Sequence, residues 1–169
     1  LCGLQHMNIS LKNIGKRYNR EWIFRHVDYE FIAGKKYAIT GSNGSGKSTL
    51  LQVIAGSLTH NEGNIEFNID QQPNNNDQHY QHISIATPYL ELVEDFTLRE
   101  QIEHTAFYKA FLNNLTTEQI VELSGLAAHK DKYIKLFSSG MKQRLKLTLA
   151  ILADAPILFL DEPTTNLDA

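Results

Sequence analysis

The chain of 169 residues has a single cysteine, Cys2, which excludes an internal disulfide framework and fits a reducing compartment. No apolar run approaches the ~20 residues that span a bilayer, so any membrane role is peripheral. Net charge is −3 with acidic and basic residues interspersed; with no basic stripe, nucleic acid is not an expected partner. Residues 1–7 lack the charged start and apolar stretch of a signal peptide, and His6-Met7 reads as a cloning junction, so these residues are expected to be vector-derived. No internal repeat is evident, and the length suits one core or a compact two-lobed unit.

What the chain does have is a phosphate loop. Gly41, Ser42, Asn43, Gly44, Ser45, Gly46, Lys47, Ser48 and Thr49 fill the pattern G-x-x-x-x-G-K-[ST] at every fixed position. Residues 36–40 before it read as a short apolar strand and residues 47–55 after it as a helix, the setting the motif requires. Glycines let successive N–H groups converge on phosphate oxygens, and the helix N-terminus adds partial positive charge. Lys47 supplies a full charge to the terminal phosphates, and the Ser48 hydroxyl is placed to ligate magnesium. The bland alternative, a glycine-rich turn with a chance lysine, does not account for the flanking pattern.

From Asn8 to Phe31 apolar and polar residues roughly alternate, and Asn64 to Ile69 alternate again, which predicts a small antiparallel β lobe. Residues 70–81, rich in Asn and Gln around Pro73, read as a solvated loop. Residues 83–86 are a short strand, beyond Pro88 the pattern turns helical, and Thr97-Leu-Arg-Glu100 is a capping box with Leu98, Ile102, Ala106 and Leu112 at helical spacing. A second helix covers 117–124 with Gly125 as C-terminal cap, and another covers 141–153. The apolar run 157–160 is expected to be a central parallel strand buried on both faces. It ends in Asp161-Glu162, two buried acids at the sheet edge where ligands bind. In a phosphate-loop protein the first supports magnesium and the second polarises the attacking water. An ordinary acidic strand cap before Pro163 is the plainer alternative.

With these motifs in order, the sequence resembles the nucleotide-binding domain of ABC (ATP-binding cassette) ATPases over nearly its whole length. Tyr18 lies where the family's aromatic stacks on adenine; Trp22 is a less favoured stacker, and a core aromatic is the alternative for either. Residues 41–49 are similar to Walker A, 157–162 to Walker B and 163–168 to the D-loop. Phe137-Ser-Ser-Gly-Met-Lys-Gln-Arg144 looks like a variant of the signature Leu-Ser-Gly-Gly-Gln, keeping Ser138 and Gly140 but with Ser139 and Met141 in place of Gly and Gln.

The resemblance implies an α/β fold: a P-loop NTPase core with a mostly parallel sheet, an antiparallel β lobe and an inserted helical lobe. The boundaries are 8–169 for the domain, with 8–87 and 141–169 as core plus β lobe and 88–140 as helical lobe. It further implies ATP and Mg2+ as cofactors, with Ser48 and Asp161 on the metal. Lys47 and Glu162 would be catalytic, Glu162 as general base. A second copy of the domain would supply Ser138, Ser139 and Gly140 in trans to the γ-phosphate, although these serines can equally be a plain helix cap. A separate transmembrane permease would be the other partner, with the chain peripheral on the cytoplasmic face of the membrane.

Two departures stand out. Without a gap, the family's Q-loop glutamine aligns with Pro88, which has no side-chain donor or acceptor. That contact is then lost, replaced by water, or taken up by Thr87 or Tyr89. All 7 histidines precede Asp161, so none is the family's switch histidine, and the strand that should pair with 157–160 is missing. The chain is therefore expected to be C-terminally truncated, with an exposed apolar sheet edge and poor hydrolysis in this form. The expected function is the ATPase subunit of an ABC transporter. The alternatives are a soluble ABC ATPase without a permease, or a nucleotide-dependent regulatory module with little turnover.

Overall fold

Alternation along the first segment puts Met7, Ile9 and Leu11 on a buried face, and the segment forms strand β1 (Met7–Tyr18). The structure, a computed structural model, describes residues 7–69, 72–73 and 79–164. The chain divides into two compact units, Leu1–Ile83 and Ser84–Ala169.

In the first unit β1 pairs antiparallel with β2 (Glu21–Phe31), closing at Tyr18↔Glu21 through a turn in which Asn19 takes φ 54°. That left-handed conformation suits asparagine. On its other edge β1 pairs antiparallel with β3 (Glu62–Ile69), and the short β4 (Gln72–Pro73) extends the sheet in the order β2-β1-β3-β4. The expected β lobe is therefore present, beginning at Met7. The register of β1 on β3 shifts between Lys12 and Gly15, beside Gly63. Gly63 sits at φ 87°, and a Cβ there would lie 2.4 Å from the carbonyl oxygens of Lys12 and Asn13, so only glycine fits. The expected loop at 70–81 includes β4 and most of a 3-10 turn, His79–His82; residues 70–71 and 74–78 lie outside the described ones.

Helix α1 (Lys47–Ile54) follows the phosphate loop and buries Leu51, Val53 and Ile54. The strand expected at 36–40 does not form, and Tyr37 and Ile39 are exposed. A strand of five residues has no stability of its own; it exists by pairing, and no described strand pairs with this one.

In the second unit β5 (Ile83–Ala86) pairs with β6 (Ile157–Leu160). The Asp161 N–H donates to the Ala86 carbonyl at 2.9 Å, so the two strands end side by side and run parallel. β6 is not buried on both faces as expected: Leu158 is 42% and Leu160 39% exposed. It shows the alternation of a strand covered on one face.

Between β5 and β6 come three helices, α2 (Leu98–Tyr108), α3 (Thr117–Leu123) and α4 (Ser139–Leu152). The Thr97–Glu100 capping box is present, and Thr116–Gln119 makes a second one on α3. Gly125 follows α3 at φ 66°, as a C-terminal cap should. The helices enclose a core that includes Leu98, Ile102, Ile120, Ile134, Leu145 and Leu149. Ala106 and Leu112, expected on that face, are exposed; buried Gln101 and Phe111 take those places. Residues 88–96 form turns rather than helix, because the α2 cap sets its start at Leu98.

Candidate functional site

The phosphate loop is built on glycine. Gly44 takes φ 80° and Gly46 φ 88°, conformations that cost other residues about 1–2 kcal/mol. A Cβ on Gly46 would lie 2.7 Å from Ile23 Cγ2 and 3.4 Å from Phe24 Cδ1, so the loop rests directly on β2. Gly46→Ala is therefore expected to lower stability by at least the ~1–2 kcal/mol of the backbone strain and to weaken nucleotide binding; denaturant melts with a parallel ATP titration check both.

The same Gly46 is the N-cap of α1 and makes no side-chain capping bond to its first turn. The loop turns through a hydrogen bond from Ser45 N–H to the Ser42 carbonyl (3.2 Å). Lys47 reaches back across it, its ammonium donating to the carbonyls of Gly41 (3.1 Å) and Ser42 (2.9 Å). Residues 41–45 are exposed. A glycine-rich backbone, a helix N-terminus with no side-chain cap and a fixed ammonium make a site for a polyanion.

Tyr18 ends β1 with 49% of its surface exposed, so it is no core residue. Trp22 is half-buried, with Arg17 5.4 Å and Arg25 4.4 Å from its ring centre, and those cations already occupy it.

In the second unit Asp161 closes β6 and is 8% exposed, whereas Glu162 is exposed, in a turn at φ 47°. The expectation of two buried acids thus holds only for Asp161; the strand ends there, and the turn carries Glu162 outward. Gln143, which sequence reasoning missed, is buried on α4 and donates from Nε2 to the Pro163 carbonyl at 3.3 Å, tying the helix to this turn. Its signal was a polar side chain one heptad before Ala150, on the buried face. Of the D-loop residues, 165–168 lie outside the described ones.

Ser138 is the N-cap of α4, its Oγ accepting from Met141 N–H at 3.2 Å. Ser139 is exposed and Gly140 half-exposed in the first turn. The first turns of α1 and α4 carry no acid, whereas α2 has Glu100 and α3 has Glu118 there. The two helix starts assigned to phosphate are thus free of the charge that would repel it.

A family model described as ABC transporter matches residues 24–165. The chain belongs to the ABC transporter family. Within it, the chain is an ATP-binding subunit with ATPase activity. It is 30% identical, over 96% of its own length and 77% of the relative's, to the cytochrome c biogenesis ATP-binding export protein CcmA of Rhizobium johnstonii. It is 31% identical to the Nod factor export ATP-binding protein I of Burkholderia lata, over 95% of this chain and 54% of that one. A solved ATP-binding subunit of an ABC transporter shares the fold, with a TM-score of 0.75 at 23% identity over 95% of this chain and 68% of the other. No helix among the described residues is long and apolar enough to cross a membrane.

At the ABC Q-loop position, the Pro88 carbonyl accepts from Lys146 Nζ at 3.0 Å. Of its two neighbours, Thr87 is buried with its hydroxyl accepting from Leu90 N–H at 3.1 Å, while Tyr89 is 70% exposed. The Thr87 hydroxyl thus helps to hold the turn. Beside Pro88 opens a cleft of about 500 Å³, lined by Leu90, Leu92 and Ile134 with Glu91, Glu94, Lys142 and Lys146. Burial there, with Lys142 nearby, lowers the pKa of Lys146 from its ordinary value, against the opposing pull of Glu91.

Proposed function

We propose that this chain binds Mg-ATP through residues 41–49, pairs with a second copy around the nucleotide, and hydrolyses it to drive a membrane permease from the cytoplasmic face. The observation that carries this reading is the loop itself: Gly46 seated on β2, a helix start with no side-chain cap and Lys47 spanning the carbonyls of Gly41 and Ser42. Tyr18, exposed at the end of β1 upstream of the loop, stacks the adenine.

The donor chemistry fits magnesium: a Ser48 hydroxyl and an Asp161 carboxylate are hard oxygen ligands. No group of three or more His, Cys, Asp or Glu that could hold a metal ion occurs among the described residues. Ser48 and Asp161 would hold the ion, which would supply positive charge to offset the charge developing on the phosphates. Lys47 holds the γ-phosphate, and Glu162 accepts the proton of the attacking water. The start of α4, with Ser138, Ser139 and Gly140, faces the γ-phosphate bound by the partner copy. We place the permease contact at the cleft beside Pro88.

Phosphate release by the full chain tests this. Turnover is expected with ATP and magnesium and lost with a chelator; ATP binding without any turnover would favour the second reading, a nucleotide-dependent regulatory module. Pro88 favours that alternative, since it has no side-chain donor or acceptor where the family's glutamine aligns.

A further inference from the structure

Lys16 is a buried lysine that the nucleotide site, as described, does not use. It is 6% exposed in β1, and its ammonium donates to the Thr59 carbonyl at 2.6 Å, in the segment that follows α1. The same ammonium lies over the Tyr18 ring, 5.1 Å from its centre. A buried charge is costly unless well partnered, and a neutral side chain would fill the place at less cost. Its second partner is the exposed ring to which the adenine has been assigned.

We infer that Lys16 is a positioning residue for the nucleotide base: it holds one face of the Tyr18 ring and anchors it to the exit of the helix that begins at the phosphate loop. The inference rests on the ATP-binding reading above. A ring is fixed in plane when a cation covers one face, and a fixed platform binds a purine on the other with less ordering cost. The anchor at Thr59 keeps that platform in register with α1, whose first residue is Lys47. Lys16 is not needed to join the two segments. Asn61 N–H donates to the Gly15 carbonyl (2.8 Å) and Arg17 N–H to Asn61 Oδ1 (2.9 Å), and both bonds survive its loss.

The test compares ATP with tripolyphosphate, which has the phosphates but no base, in wild type, Lys16→Met, Lys16→Arg, Tyr18→Ala and the Lys16→Met/Tyr18→Ala double variant. Lys16→Met is expected to weaken ATP about fivefold and leave tripolyphosphate unchanged. Lys16→Arg is expected to restore most of the loss. In the Tyr18→Ala background Lys16→Met should cost nothing more, because the two residues act through one contact. The inference is overturned if Lys16→Met leaves ATP affinity unchanged or weakens both ligands alike, the latter being the mark of a merely structural lysine. It is equally overturned if the loss persists in the Tyr18→Ala background. A wild-type chain that binds no ATP, or an unaffected Tyr18→Ala, sinks the ATP or base-stacking reading itself; loss in Tyr18→Ala without loss in Lys16→Met sinks only the role of Lys16.

Discussion

Replacing Glu162 by glutamine is expected to leave ATP binding intact and to slow phosphate release by about 10²–10⁴-fold, the usual contribution of a general base. Glutamine keeps the shape and hydrogen-bonding reach of the side chain but cannot take a proton from water. The substitution also leaves the turn alone. Glu162 is exposed at φ 47°, a left-handed position that glutamine enters at the same backbone cost. ATP that is bound but not hydrolysed should hold the paired copies together, and light scattering with ATP should report a doubled mass in the variant. Unchanged turnover would remove Glu162 from the chemistry and leave it an acidic residue in the turn before Pro163.

Lys47→Ala is expected to act one step earlier and weaken ATP by about ten- to hundredfold, the value of hydrogen bonds from one charged donor to a charged acceptor. The ammonium spans the carbonyls of Gly41 and Ser42, 3.1 and 2.9 Å away, so it is held over the loop before any nucleotide arrives. Alanine is the best helix former and Lys47 is the first residue of α1, so the helix itself should survive. Fluorescence titration with a labelled nucleotide measures the loss, and an affinity equal to wild type would place the phosphates elsewhere. The two variants thus separate binding from hydrolysis.

Local features were legible in the sequence. Alternation gave away the β1–β2 hairpin, Thr97-x-x-Glu100 its capping box, and the glycines of residues 41–49 the loop on which the candidate site depends. Features that depend on neighbours were not. Residues 36–40 are apolar enough for a strand, but pairing decides strand formation, and the exposure of Leu158 and Leu160 on β6 depends on what packs against that face. The outward turn at Glu162 follows from where β6 ends, which no motif specifies. Lys16 and Gln143 were missed because buried polar residues make sense only once their partners, the Thr59 and Pro163 carbonyls, are known. The second capping box, Thr116 with Gln119, was readable by the rule that found the first.

The most direct measurement is a calorimetric titration of the full chain with ATP and magnesium, with the Lys47→Ala chain alongside. Saturable binding at one site per chain, largely lost in the variant, is the predicted result. Absence of binding by the wild-type chain, or equal binding by the two, would contradict the assignment of residues 41–49 as the ATP site.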